Sequence, residues 1–200
     1  MENKDIQWIT KGGKHIPISE YVDKEPNKER QIEENKKQAD MKEIEPLIRK
    51  ATSSPSDLLQ SERKQLEEYV DKYGSNQGTI YRGLDLPDYA VKNLKVGEEF
   101  KMQDRLTSFT PDKSSAEEFA KRHLRDFSRF GNNAVILKEE EGFGINISAM
   151  SKFENENEVL VNNKGNYIIK KVQKTKGKNP GYHGQLENVD IWIITVERKK

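Results

Sequence analysis

The sequence predicts an α+β fold, because helical patterns come first along the chain and strand patterns come later. In three segments between residues 41 and 127, apolar side chains recur at the three- and four-residue spacing of a helix. From residue 134 onward, short runs rich in Val and Ile predict strands. This order favours α+β over alternating βαβ units, which need a helix between successive parallel strands.

The three predicted helices each have one apolar face and defined ends. The segment TSSPSD, which contains Pro55, is predicted to end the first helix and to cap the second, and the run from Gly74 to Gly78 is predicted to stop the second. Ser114 and Glu117 have the spacing of a capping box at the start of the third. The apolar positions of the three helices are, in order, Met41, Ile44, Leu47 and Ile48; Leu59, Leu66, Tyr69, Val70 and Tyr73; and Ala116, Phe119, Ala120, Leu124 and Phe127.

Two short strands are predicted among the helices and five after them. Residues 85–100 are expected to form a loop with a short helical piece. The run 162–165, Asn-Asn-Lys-Gly, predicts a hairpin turn that joins two of the later strands. The predicted strands are residues 79–84, 105–109, 134–138, 144–150, 157–161, 166–173 and 191–198.

The first 40 residues form a separate N-terminal part in this interpretation. Residues 6–18 contain two apolar segments around Gly12-Gly13, which predicts a hairpin. Residues 20–40 are crowded with Lys, Glu, Asn and Gln, so they are expected to be a solvated linker or an exposed helix. We therefore divide the chain into residues 1–40 and one domain of residues 41–200.

The composition excludes several classes of function. The chain has 200 residues, 34% charged and 32% hydrophobic, with a formal net charge of +1, which gives no electrostatic case for nucleic acid or an anionic membrane. Cysteine is absent, which excludes disulfides and thiolate metal sites, and the three histidines lack metal-ligand spacing. No signal peptide is visible in MENKDIQWIT. We expect a soluble monomer without a metal, a nucleic-acid partner or a membrane partner.

The strongest functional pattern is FENENEVLV, from Phe153 to Val161. Glu154, Glu156 and Glu158 alternate along it and lead directly into an apolar run. In an extended strand all three carboxylates would project to one face. A purely structural strand gains little from like charges so close together, whereas a site that stabilises a cation needs them. The structural alternative is a solvated face of an edge strand.

Two earlier segments place further functional residue types at strands. Arg82 lies in the strand YRGL, and Ser108 and Thr110 lie where the strand RLTSF ends. Each has an ordinary alternative, since a strand Arg is commonly a surface charge and Ser or Thr at this place caps the following helix. Taken singly, none of the three segments favours the functional interpretation over its ordinary alternative. The functional interpretation depends on their order along the chain.

Together the three segments resemble the Arg–Ser–Glu signature of mono-ADP-ribosyltransferases, in the branch of binary toxins and arginine-specific enzymes. In that signature an aromatic–Arg pair is followed by Ser-x-Ser/Thr and then by Glu-x-Glu before an apolar strand. The string offers two Glu-x-Glu registers, and we choose 156/158 because Val159 and Leu160 follow it directly. The matching segments are Tyr81-Arg82-Gly83, Ser108-Phe109-Thr110 and Glu156-Asn157-Glu158.

The resemblance implies two packed, mostly antiparallel sheets around an NAD cleft, with NAD+ as substrate and no metal. Glu158 would stabilise the oxocarbenium-like ribose, Ser108 would brace Glu158, and Arg82 would bind the pyrophosphate. The resemblance also implies a catalytic role for Glu156, which would orient or deprotonate an incoming guanidinium. With Phe153 in the preceding turn it would recognise the acceptor, which the resemblance implies is an arginine. The further residues implied to contact NAD+ are Gly83, Ser108, Phe109, Thr110, Arg129 and Phe130.

The resemblances also bear on the partners and the origin of the chain. The acceptor is expected to be an unidentified host protein. The segment WITKGGKHIPI resembles short segments of phage minor head proteins, which indicates a phage or prophage origin and a place in the bacterial host cytoplasm or the virion. Two alternatives stay open: an NAD+ glycohydrolase that uses the same site, and an inactive phage structural or host-interaction protein.

Overall fold

A computed structural model describes residues 8–11, 14–17, 24–102, 106–127, 132–151, 157–164, 167–180 and 186–199. The chain divides into two compact units, Met1–Glu45 and Pro46–Lys200. No helix in the described ranges is long and apolar enough to cross a membrane.

The first unit contains a hairpin and most of a long helix. Strand β1 (Trp8–Lys11) pairs antiparallel with β2 (Lys14–Pro17), as the Gly-Gly signal predicted. Helix α1 spans Lys24–Ser53, so it begins in the first unit and ends in the second. The side chains of residues 28–39 are all exposed, including that of Ile32. The charged segment is therefore a helix, and its composition reflects the lack of anything to bury along this stretch.

The second unit is built from two sheets and short helices. A five-stranded sheet has the order β4-β7-β11-β10-β5, and a four-stranded sheet has the order β3-β8-β9-β6. Among the described pairs only β7 with β11 is parallel. The helices are α2 (Gln60–Tyr73), α3 (Asp88–Lys92) and α4 (Lys113–Phe127), after a turn of 3-10 helix at Pro55–Asp57. The strands are β3 (Ser75–Asn76), β4 (Ile80–Pro87), β5 (Glu99–Phe100), β6 (Leu106–Phe109), β7 (Asn132–Glu139), β8 (Phe143–Asn146), β9 (Val159–Asn162), β10 (Tyr167–Pro180) and β11 (Leu186–Arg198).

Alternation along the strands explains why the five-stranded sheet is buried on both faces. In β7, Val135 and Leu137 point into the core between the sheets, whereas Ala134 and Ile136 point to the opposite face. Helix α4 covers that opposite face with Ala116 and Ala120. The core between the sheets consists of Ile80, Val91, Phe100, Phe109, Val135, Leu137, Val159, Val161, Tyr167, Ile169, Ile194 and Val196. The predicted α+β class, with two packed and mostly antiparallel sheets, is confirmed.

Both predicted helix caps are wrong in detail. Helix α2 begins after Leu59, whose N–H donates to Glu62 Oε2 at 2.7 Å, so TSSPSD does not cap it. Leu59 itself is 63% exposed, although it was assigned to the apolar face. Helix α4 is capped by Asp112, which accepts hydrogen bonds from the backbone and hydroxyls of Ser114 and Ser115. These bonds, that of the Ser115 hydroxyl foremost, lower the pKa of the Asp112 carboxyl to about 2.

The run 162–165 does not close a hairpin, which corrects the prediction for that turn. Strand β9 before it belongs to the four-stranded sheet, and β10 after it belongs to the five-stranded sheet. The chain therefore crosses between sheets here, and Asn162 Nδ2 anchors the crossing by donating to Asp71 Oδ1 at 3.1 Å. The long antiparallel pair is β10 with β11. It runs from Tyr167 opposite Arg198 to Pro180 opposite Leu186, with a shift of register between Ile169 and Lys171.

Gly83 allows α4 to lie directly on β4. A Cβ atom at Gly83 would lie 2.2 Å from the Ala116 carbonyl oxygen and 2.7 Å from the Ala120 nitrogen, both backbone atoms of α4. The structure thus gives this glycine a packing reason that differs from the predicted approach to a cofactor.

Gly83→Ala is expected to destabilise the domain, by about 1–3 kcal/mol, because the clash is with backbone that cannot rotate away. Urea unfolding followed by circular dichroism measures the loss. Gly142→Ala is the matched control: its Cβ would lie 2.4 Å from the Ile80 side chain, and the nearest backbone atom, the Gly78 oxygen, would be 3.2 Å away. A smaller loss is expected there, and equal losses in the two variants would contradict the packing explanation.

Candidate active site

Among the described residues one isolated β-bridge joins the backbones of the two sheets, and it lies next to the predicted Arg and Ser. The Tyr81 N–H donates to the Thr110 carbonyl at 2.7 Å, and the Thr110 N–H donates back to the Tyr81 carbonyl at 2.8 Å. Tyr81 belongs to β4 of the five-stranded sheet, and Thr110 follows β6 of the four-stranded sheet. Arg82 and Ser108, which are 26 positions apart in sequence, are thereby brought together.

Arg82 is held across this junction. Its Nη1 donates to the Ser108 carbonyl oxygen at 2.5 Å, and its side chain is partly buried. This bond fixes the orientation of the guanidinium, whose N–H donors form a rigid planar fork. The ordinary alternative, a solvated surface charge, does not describe this side chain.

Ser108 and Glu158 meet through the pairing of β6 with β9. Ser108 lies opposite Leu160, so Glu158, two residues before Leu160, is its diagonal neighbour on the same face. The Ser108 hydroxyl donates to Glu158 Oε1. Ser108 therefore does not cap the following helix. Thr110 instead makes a hydrogen bond in the turn before α4, where its hydroxyl accepts the Asp112 N–H at 3.1 Å.

A second serine, Ser151, reaches the same carboxylate. Its hydroxyl donates to Glu158 Oε2 at 2.7 Å, so each carboxylate oxygen has its own hydroxyl donor. Ser151 is fully buried and Glu158 is 6% exposed. No sequence pattern singles out Ser151, because the run SAMS at residues 148–151 contains two serines that nothing separates.

The backbone before Glu158 is not the extended strand that the alternation of glutamates suggested. Strand β9 begins at Val159, and Asn157 has a φ of 45°, in the left-handed region. The argument that three carboxylates share one strand face therefore fails at Asn157. Glu154, Glu156 and Phe153 lie outside the described residues, as do Arg129 and Phe130.

The assembled residues border a cleft of about 420 Å³, a size typical of small-molecule sites. Arg82, Gly83, Ser108, Thr110 and Glu158 all line it. Phe109 also borders it, although its side chain belongs to the core between the sheets. The N-terminal side of the cleft, which the sequence analysis did not include, is lined by Ala51, Thr52, Pro55, Leu58 and Arg63.

A buried polar network supports β6 from behind the cleft. Asn163 donates from Nδ2 to the Thr107 hydroxyl, one residue before Ser108, and accepts from the Tyr167 hydroxyl at 2.6 Å. Burial raises the pKa of the Tyr167 hydroxyl well above its usual value, and the nearby Glu139 carboxylate adds to the rise. Tyr167 thus stays a neutral hydrogen-bond donor at any physiological pH. The strand that carries Ser108 is fixed by this network as well as by its ladder.

Known structures share this architecture. No protein-family profile matches the sequence, and no curated protein is similar enough to it to match. The structure of the Vis toxin, an ADP-ribosyltransferase from Vibrio splendidus, is 20% identical, with 83% of this chain and 73% of Vis covered and a TM-score of 0.52. Vis in complex with the M6 inhibitor is 17% identical, with 79% and 73% covered and a TM-score of 0.56. The chain has the ADP-ribosyltransferase fold.

Proposed function

We propose that the chain transfers ADP-ribose from NAD+ to a protein side chain and releases nicotinamide. The observation that carries the proposal is the connected set Arg82, Ser108 and Glu158, in which a buried carboxylate with both oxygens held lies in the same cleft as a guanidinium. We place this activity in residues 41–200. The fold it shares with Vis supports the choice of reaction.

The chemistry needs a fixed negative charge where positive charge develops. Breaking the bond between nicotinamide and ribose leaves an oxocarbenium-like ribose, as in glycoside hydrolysis. A carboxylate that is already oriented and shielded from water stabilises that charge without first having to reorganise. Glu158 meets both conditions, since it is buried and accepts hydrogen bonds from two serine hydroxyls. No metal is required for this step.

The cleft also carries positive charge that suits the two phosphates of NAD+. Arg82 and Arg63 both line it. One donor of each guanidinium is engaged by a backbone carbonyl, that of Ser108 for Arg82 and that of Pro55 for Arg63, both at 2.5 Å. These bonds fix the orientation of both groups, and a planar guanidinium can pair with phosphate oxygens through two parallel N–H bonds. We assign Arg82 the principal phosphate contact.

Arg82→Lys is expected to weaken NAD+ binding at least about tenfold, because lysine keeps the charge but loses the planar fork. Isothermal titration calorimetry with NAD+ measures the change. Lys92→Arg, at an exposed position of α3, is the control for a basic exchange away from the cleft and should bind as the unaltered protein does. If Arg82→Lys bound NAD+ as tightly as the unaltered protein does, the role of Arg82 would be only structural, between the sheets.

We further propose that the acceptor is an arginine side chain. The Glu-x-Glu resemblance places Glu156 two residues before Glu158, where a second carboxylate would orient a guanidinium. Vis, which has the same fold, has been solved in complex with agmatine, a small guanidinium compound. Incubation with labelled NAD+ and either agmatine or cadaverine separates the possibilities: we expect a labelled agmatine product and no cadaverine product. Free ADP-ribose alone would favour a glycohydrolase.

A further inference from the structure

The Glu158 carboxylate is held by two serines that come from different parts of the chain. Ser108 is the serine of the motif on β6, and it binds Oε1. Ser151 lies outside that motif, after β8, and binds Oε2 at 2.7 Å in a fully buried contact. The second bond is therefore an additional feature of the site.

The backbone fixes Ser151 where its hydroxyl can reach Glu158. Beyond β8 the chain turns tightly, and the N–H groups of Met150 and Ser151 both donate to the Ile147 carbonyl at 2.8 Å. The Ile147 N–H in turn donates to the Glu158 carbonyl at 2.8 Å. Ser151 and Glu158 are thus tied to the same residue through backbone bonds, and the hydroxyl–carboxylate bond closes the arrangement.

Hydrogen bonds to both oxygens of the Glu158 carboxylate restrict a rotation that a bond to one oxygen would leave free. The terminal torsion of a glutamate side chain is broad, so a carboxylate held at one oxygen can still rotate about its final bond. A donor at Oε2 as well as at Oε1 sets the plane of the group. That plane decides which lone pairs point into the cleft toward a developing positive charge.

We propose that Ser151 is a positioning residue for Glu158, setting the plane of its carboxylate through the Oε2 hydrogen bond. This inference rests on the proposed function, because it assigns Glu158 the ribose step. Ser151 acts through Glu158 alone, so it affects hydrolysis by water and transfer to an acceptor equally, since both reactions pass through the same bond cleavage.

Ser151→Ala is compared with Ser148→Ala, which deletes the same hydroxyl three residues earlier in the same turn. The Ser148 Oγ is buried and has no hydrogen-bond partner among the residues that the structure describes, so its removal should leave kinetics unchanged. For Ser151→Ala we expect kcat for nicotinamide release to fall about tenfold or more, with KM for NAD+ within about twofold. Hydrolysis and transfer should fall by the same factor. Thermal melting checks that both variants are folded.

Two further variants separate hydrogen bonding from packing. Ser151→Cys fills the same space with a weak donor and should stay as slow as Ser151→Ala, whereas Ser151→Thr keeps the hydroxyl and should recover most of kcat. Full activity in Ser151→Ala would overturn the inference. Loss of transfer with hydrolysis unchanged would also overturn it, because that result would mean that Ser151 supports the segment that binds the acceptor.

A readout that does not depend on activity keeps this inference distinct from the proposed function. Crystal structures of the two alanine variants show the orientation of the Glu158 carboxylate directly. In Ser151→Ala we expect this carboxylate to be rotated relative to the unaltered protein, and in Ser148→Ala we expect it to stay in place. An unmoved carboxylate in Ser151→Ala would overturn the role of Ser151. Failure of the unaltered protein to cleave NAD+ would instead refute the function, and the structural comparison would still decide the role of Ser151.

Discussion

Replacement of Glu158 by Ala is expected to abolish both transfer to an acceptor and hydrolysis by water, with nicotinamide release reduced by at least about 10²–10³-fold. Both reactions need the same positive charge to be stabilised on the ribose. Glu158→Gln sharpens the test, because glutamine keeps the size of the side chain and some hydrogen bonding but removes the charge. High-performance liquid chromatography of released nicotinamide measures both variants.

The controls for Glu158 address charge and folding separately. Glu118→Gln removes a carboxylate that is 65% exposed on α4 and should leave nicotinamide release unchanged. Melting temperatures of the Glu158 variants should stay close to that of the unaltered protein, or rise, because a buried charge is costly to keep. Nicotinamide release that survives in Glu158→Gln would contradict the assignment of the ribose step to this residue.

Replacement of Glu156 by Ala is expected to abolish transfer to agmatine while much of the NAD+ hydrolysis remains. Glu156 is assigned to the acceptor, so its loss should affect only the step in which a guanidinium replaces water. The ratio of ADP-ribosyl-agmatine to free ADP-ribose, measured by mass spectrometry, reports the change. A drop in that ratio of about 100-fold or more corresponds to loss of a group that acts only on the acceptor.

Glu154 is the internal control for the choice of register. Glu154→Ala should be nearly neutral if Glu154 takes no part in chemistry. If Glu154→Ala instead lost transfer selectively and Glu156→Ala abolished all NAD+ cleavage, the functional pair would be 154 and 156. The left-handed backbone at Asn157 makes this control necessary, since alternation alone no longer places the side chains before it.

The fold class and the centre of the site could be predicted because their signals are local. Helical and strand periodicities indicate elements within a few residues, and the Arg, Ser and Glu segments each lie at one such element. Their convergence through the Tyr81–Thr110 bridge required the tertiary structure, as did the crossing of residues 162–165 between sheets. A turn signal predicts that the chain reverses but does not say which sheet it enters next.

The missed features depend on contacts that no sequence spacing encodes. Ser148 and Ser151 are three positions apart in one turn. The Ser151 hydroxyl binds the central carboxylate, whereas that of Ser148 has no partner within the described ranges. Gly83 was assigned to a cofactor contact and does line the cleft, but its packing against the backbone of α4 was not foreseen. Asp112 caps α4 because it lies one residue before the helix. The Ser114–Glu117 spacing had led to Ser114 being predicted as the cap.

The measurement that tests the central claim most directly is nicotinamide release from NAD+ by the full chain, followed over time with and without agmatine. The proposed function predicts release that grows with protein concentration, rises when agmatine is added and disappears in Glu158→Gln. The account would be contradicted if nicotinamide release were no faster than in protein-free buffer under both conditions, while circular dichroism showed that the protein was folded.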